Sequence, residues 1–139
     1  VTRKQTVTYG PDSIDSAIEH LHRADVLIGH NIIFYDIPVL RKLTDFKLNA
    51  HVIDTLICTR FIWPKEKLYD LDVDHYLNVP THLRGAASLK AWGYRLSDHK
   101  IDFKDFTAYS QEMLDYCIQD TEVTLKLYSL LKRRMETYK

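Results

Sequence analysis

An α/β fold, with helices packed on a mixed, mostly parallel sheet, is what the sequence predicts, on three observations. Short β-prone runs alternate with stretches of helical periodicity, giving the order β-α-β-α-β-α through the first half of the chain. The run Val26-Leu27-Ile28 is continuously apolar and only three residues long, the pattern of a strand buried on both faces of a parallel sheet. A length of 139 residues with 45% hydrophobic composition suits one domain, residues 1–139, able to bury a core.

Taken in order, residues 5–9 (QTVTY) alternate and are β-branched, so they read as a strand closed by the turn Gly10-Pro11. Asp12 or Ser13 then caps a helix carrying Ile14, Ala17, Ile18 and Leu21 on one face and ending near Ala24. After the 26–28 strand stops at Gly29, a helix is expected over 35–46, with Val39, Leu40 and Leu43 on its apolar face and Pro38 in its first turn. His51-Val52-Ile53 forms the next strand, and Asp54-Thr55 opens a helix through Trp63 that Pro64 stops. Residues 64–84 hold Pro64, Asn78, Pro80 and alternating charges, and read as a long loop excursion with room for one helical turn. A short helix over 86–92, a linker through Phe106 and a long helix over about 110–134 complete the chain, the last with Leu114, Cys117, Ile118, Thr121, Leu125 and Tyr128 toward the core.

Composition narrows the function. Basic and acidic residues both number 19, so no global positive field marks a nucleic-acid binder and any such contact is local. Cys58 and Cys117 lie far apart inside apolar patterns, without metal-site spacing, and read as reduced core residues of a cytoplasmic protein. No apolar run approaches the ~20 residues that span a bilayer, so no membrane partner is expected.

The chemistry-bearing residues lie in two places. Asp36 follows a buried strand at a helix start, where parallel sheets present ligands beyond the carboxyl ends of their strands. Tyr116 and Asp120 stand four apart on the last helix, one turn from each other, so a phenol and a carboxylate reach one locality. Two carboxylates converging on hydrated Mg²⁺ suit phosphodiester hydrolysis, with Tyr116 orienting the attacking water. Taken singly, each residue also has an ordinary reading: Asp36 as a cap, Asp120 as a solvated helix residue, Tyr116 as packing, Asn31 as a turn residue and His30 as a structural histidine.

Residues 30–36 (HNIIFYD) resemble the second motif of the DEDD 3′–5′ exonucleases, and residues 116–120 (YCIQD) resemble their third motif in its tyrosine form. The stretches VIDTL (52–56), LKAWGYRL (89–96) and MLDYCIQDTEVT (113–124) are similar to the proofreading domain of family-A DNA polymerases from short-tailed phages, a likeness covering nearly the whole chain. The resemblance implies an RNase H-like, DnaQ-type exonuclease fold and release of nucleoside monophosphates from a DNA 3′ end. It implies Mg²⁺ or Mn²⁺ as cofactor, with Asp120 binding the tighter metal and Asp36 holding the second largely through water. Tyr116 positions the nucleophilic water in that scheme, while His30, Asn31 and Phe34 lie at the terminal nucleotide.

The family's first motif, Asp-x-Glu on an early strand, has no counterpart here, since nothing before Gly10 is acidic. Asp70, Asp72 and Asp74 alternate like a metal loop but follow the second motif, and read as a solvated loop; Asp12 and Asp15 read as caps. With Asp36 and Asp120 alone, two divalent ions keep most of their charge uncompensated. The fold is therefore expected to be N-terminally incomplete and the chain alone a weak or inactive nuclease. Exposed strand edges would favour a companion polymerase or exonuclease chain, or self-association.

Three functions remain. The chain is one piece of a split exonuclease whose companion supplies the missing strand, or an inactive relic that binds DNA 3′ ends, single-stranded DNA or a replication protein. For the relic, Arg60, Lys65, Lys67, Arg84, Lys90 and Arg95 make a local phosphate-facing patch or a scattered solvated surface. In the third reading the chain is an interaction module, with Tyr69, Tyr76 and Trp92 as anchors beside Lys132-Arg133-Arg134; core packing is the competing role for Trp92.

Overall fold

A computed structural model of the chain describes residues 4–96 and 104–137. Part of the linker expected before Phe106 therefore lies outside the described residues. Helix α1 (Ile14–His22) leads into strand β1 (Val26–Gly29), a π-helical turn (Ile32–Asp36) and helix α2 (Ile37–Leu43). Strand β2 (His51–Asp54) is followed by α3 (Thr55–Ile62), α4 (Lys65–Asp74), α5 (Leu89–Arg95) and α6 (Gln111–Glu136). Among the described residues no helix is long and apolar enough to cross a membrane.

The sheet of the described residues is two parallel strands, paired Val26 to His51 through Gly29 to Asp54. Residues 5–9 are not a strand: Val7 is exposed and no described strand pairs with the segment, so alternation alone does not make it one. Nor is β1 buried on both faces, because Val26 lies open to solvent and the rest of the strand is half-buried. By the pleat, Leu27 and Val52 share one face. They pack under Ile18, Ile37 and Phe46, with Leu21, Ile32, Leu40 and Leu48 around them.

The structure corrects several expectations for the helices. α2 ends at Leu43 rather than 46, because Thr44 turns extended and its hydroxyl donates to the Leu40 carbonyl while accepting the Phe46 N–H. Ile37 and Leu40 face inward, and Val39 and Leu43 lie outside. The predicted 64–84 excursion is largely helical. Pro64, with an extended ψ of 157°, starts α4 instead of merely ending α3, and Leu68 and Asp72 bury one face at i and i+4. α5 begins at Leu89, later than position 86, because the Ser88 hydroxyl caps it by accepting the Ala91 N–H.

Along α6 the buried stripe is Val123, Leu127 and Leu131. Cys117, Thr121 and Leu125, expected in the core, are exposed, so the stripe read from the sequence is out of phase with the buried one already in the helix's first half. That stripe packs with Ile62, Trp63, Leu68 and Trp92 as a second core, in which Trp63 and Trp92 meet at 5.4 Å between ring centroids. Cys58 borders this core, half-buried, and both cysteines are free thiols.

Inside it, Asp72 is fully buried and bound by Arg95 through Nε at 2.7 Å and Nη2 at 2.8 Å. The expectation of a solvated Asp70-Leu71-Asp72-Val73-Asp74 loop thus fails at its central residue. Arg95 leaves the predicted DNA-facing patch for the same reason.

Candidate nucleic-acid interface

The loop after β1 is shaped by backbone geometry before any side chain points outward. A Cβ on Gly29 would stand 2.8 Å from the Cβ of Ile32, so only glycine lets the chain fold back so tightly at the strand end. Asn31 takes the left-handed conformation at φ 62°, ψ 27°, a region that asparagine tolerates better than most residues. The π-helical turn closes behind it through the Ile37 N–H and Ile32 carbonyl.

Asp54 fixes this turn. Its carboxylate, 3% exposed, accepts the Asn31 N–H at 2.9 Å and the Ile33 N–H at 3.1 Å, while also capping α3 through the Leu56 N–H at 3.0 Å. One charge thus satisfies three backbone donors from two segments. Sequence reasoning placed Asp54 only at the opening of a helix. Its second role was invisible because the donors lie more than twenty positions away.

His30 holds the other side. Its Nε2 donates to the Ala87 carbonyl at 2.9 Å, and Nδ1 lies 2.9 Å from the Thr55 hydroxyl. A carbonyl only accepts, so in the neutral ring the proton sits on Nε2, and Nδ1 shares the Thr55 O–H with the Gly29 carbonyl, 3.3 Å from that hydroxyl. Here His30 braces the loop against two other elements, the structural role open to it from the start.

The same fold turns Ile33, Phe34, Tyr35 and Asp36 to the surface. Phe34 is 75% exposed and Tyr35 63% exposed. Desolvation pushes the Asp36 carboxyl above the ordinary aspartate value; its own backbone N–H opposes this, and the Asp54 charge adds a further upward push. Large aromatic faces next to an acid, held on an ordered turn, can stack on bases or meet another protein.

Tyr116 and Asp120 lie half-buried in the first half of α6, a helix that packs beside β1, α3 and α5. The Tyr116 ring meets Phe106 edge-on at 5.7 Å, and one Asp120 oxygen is shielded from solvent. Asp120 raises the Cys117 thiol pKa, second to desolvation, whereas the acid that acts on Asp36 is Asp54. Among the described residues no three His, Cys, Asp or Glu side chains gather into a metal-sized group.

Of the basic patch, Arg60, Lys65, Lys67 and Lys90 are exposed and Arg84 is half-buried with Nε shielded, while Arg95 is in the core. Trp92 is fully buried and so no anchor; Tyr69 is exposed and Tyr76 half-buried.

The sequence matches the DNA-directed DNA polymerase of Escherichia phage T7 at 29% identity over 154 aligned residues, 90% of this chain and 22% of the polymerase. This chain is thus similar to a segment of phage DNA polymerases. The DNA-directed DNA polymerase of Enterobacteria phage T3 matches at 29% over 143 aligned residues, covering 85% of this chain and 20% of that polymerase. The chain spans about a fifth of the length of these polymerases. No family model matches it.

Proposed function

We propose that the chain is an exonuclease-like segment of a phage-type DNA polymerase, RNase H-like in fold, whose Gly29–Asp36 loop engages DNA 3′ ends. The observation that carries this reading is the turn itself. Asp54 and His30 hold it from two sides, and it presents Phe34, Tyr35 and Asp36 outward in a chain similar to phage polymerases. An aromatic face contributes about 1–3 kcal/mol per stacked base without needing a particular sequence. Asn31, in the left-handed turn, lies between the two braces and shares that position.

Among the described residues, Asp36 and Asp120 alone do not suffice for two Mg²⁺ or Mn²⁺ ions. Asp36 and Asp120 give two carboxylates, and no cluster of three ligating side chains forms among the described residues. Hydrolysis by this surface, with Tyr116 near the water, therefore requires carboxylates from another segment or a companion chain.

The test has two arms. Fluorescence anisotropy with a 5′-labelled single strand should show binding that Phe34→Ala weakens by about tenfold, the size of one lost base stack. No effect of that substitution sinks the end-binding reading. Mixing with a polypeptide carrying an Asp-x-Glu strand, in Mn²⁺, should yield shortening from the 3′ end. Binding without any gain in hydrolysis would favour the inactive relic instead.

A further inference from the structure

We propose that the buried Asp72–Arg95 pair is a positioning device for the Gly29–Asp36 loop, acting through the His30 imidazole. Its bearing on DNA contact rests on the reading above; the structural coupling does not.

The pair does more than neutralise itself. Asp72 Oδ2 accepts the Gly85 N–H at 2.8 Å, and Arg95 Nη2 donates to the Ala86 carbonyl at 2.6 Å. Two consecutive residues of the turn between α4 and α5 are thereby pinned, one by each partner. Gly85 sits at φ +78°, where a Cβ would approach both the Lys65 carbonyl and the Tyr69 Cβ at 3.2 Å, so the turn lies tight on the start of α4. Arg95 is itself fixed from the other side, its Cζ 4.6 Å from the centre of the Trp92 ring.

The next carbonyl along, Ala87, is the one that receives His30 Nε2–H. Four short steps therefore connect a core ion pair to the candidate site: carboxylate and guanidinium, pinned turn, Ala87 carbonyl, imidazole. Lysine could keep the charge of Arg95 but not the planar fork that reaches Asp72 and Ala86 together.

Hydrogen exchange followed by NMR tests this on the whole chain. In Arg95→Lys, exchange of the Asn31 and Ile33 amides should rise about fivefold or more, the scale of one lost hydrogen bond, while Val123 and Leu127 keep their rates. In a His30→Ala background the same substitution should add almost nothing at Asn31 and Ile33. An equal rise in both backgrounds, or none in either, overturns the proposal. Should Arg95→Lys loosen Val123 and Leu127 as well, reciprocity decides, since coupling runs both ways. His30→Ala must then speed exchange at Gly85 and Ala86, and unchanged rates there overturn it. DNA affinity enters neither readout, so failure of the coupling and failure of the end-binding reading are separable.

Discussion

Asp54 accepts three backbone N–H groups in a nearly dry setting, so removing its carboxylate strands donors in two segments at once. Asp54→Ala should cost roughly 2–4 kcal/mol in urea unfolding, a lost cap plus unsatisfied amides. Asp54→Asn should cost less, since its side-chain oxygen still accepts. The same substitution bears on Asp36. Because the Asp54 charge is one of the causes raising the Asp36 pKa, Asp54→Asn should lower that pKa in an NMR titration. Desolvation, the larger cause, stays, so the value should remain above the ordinary one. A carboxyl raised in the folded state binds more protons there than in the unfolded chain, which makes the stability slope with pH negative. Asp36 therefore favours folding at pH values below its ordinary pKa and loses that contribution as pH climbs through the raised value. Asp36→Asn should flatten that part of the profile.

At the level of elements, α4 is where sequence and structure part most. Its charges alternate and its flanks hold prolines, so it reads as a loop, yet burial of Leu68 and Asp72 makes it a helix. The decisive partner of Asp72 is Arg95, 23 positions away and formally one more surface cation. Short-range patterns cannot show a bond of that span. α3 and α6 were legible because capping is local: Asp54 accepts the Leu56 N–H, and Ser110 accepts the Met113 N–H just where the last helix was expected to begin. α1 was legible from its apolar spacing alone, since neither Asp12 nor Ser13 forms the side-chain cap expected of it. The motif singled out the Gly29–Asp36 loop, whereas the groups that support it, Asp54 and the 85–88 turn, come from distant segments. A contrast among three aspartates measures the point. Asp72→Ala should destabilise by about 3–5 kcal/mol by leaving a buried guanidinium uncompensated, while Asp70→Ala and Asp74→Ala should stay within about 0.5 kcal/mol. Thermal unfolding of the three variants checks it, and equal effects would mean that the pair is not what holds α4 in place.

For the molecule as a whole, the unresolved balance is in the sheet. Two strands pair with each other, so each has one edge without a strand neighbour among the described residues. The bond from the His51 N–H to the Asp25 carbonyl sets the ladder's phase. By the alternation of a parallel pair, Leu27 bonds inward to β2, and Val26 and Ile28 direct their backbone groups to the open side. An edge of this kind accepts another strand unless charge, a break or a covering element prevents it; β1 carries neither a charged residue nor a proline, and α6 is the element that packs beside it. The formal net charge of the chain is zero, so copies meet without long-range repulsion. Sedimentation velocity should accordingly show association that grows over a hundredfold rise in concentration, about the range needed to move a weak equilibrium from mostly free to mostly bound. Val26→Pro tests the route. Proline is tolerated at the first residue of a strand and removes one outward donor without touching the inward ladder, so the variant should keep its helical circular dichroism and associate less. Association unchanged by Val26→Pro would place the contact elsewhere, with exposed Phe61 and Leu77 the next apolar surfaces to substitute.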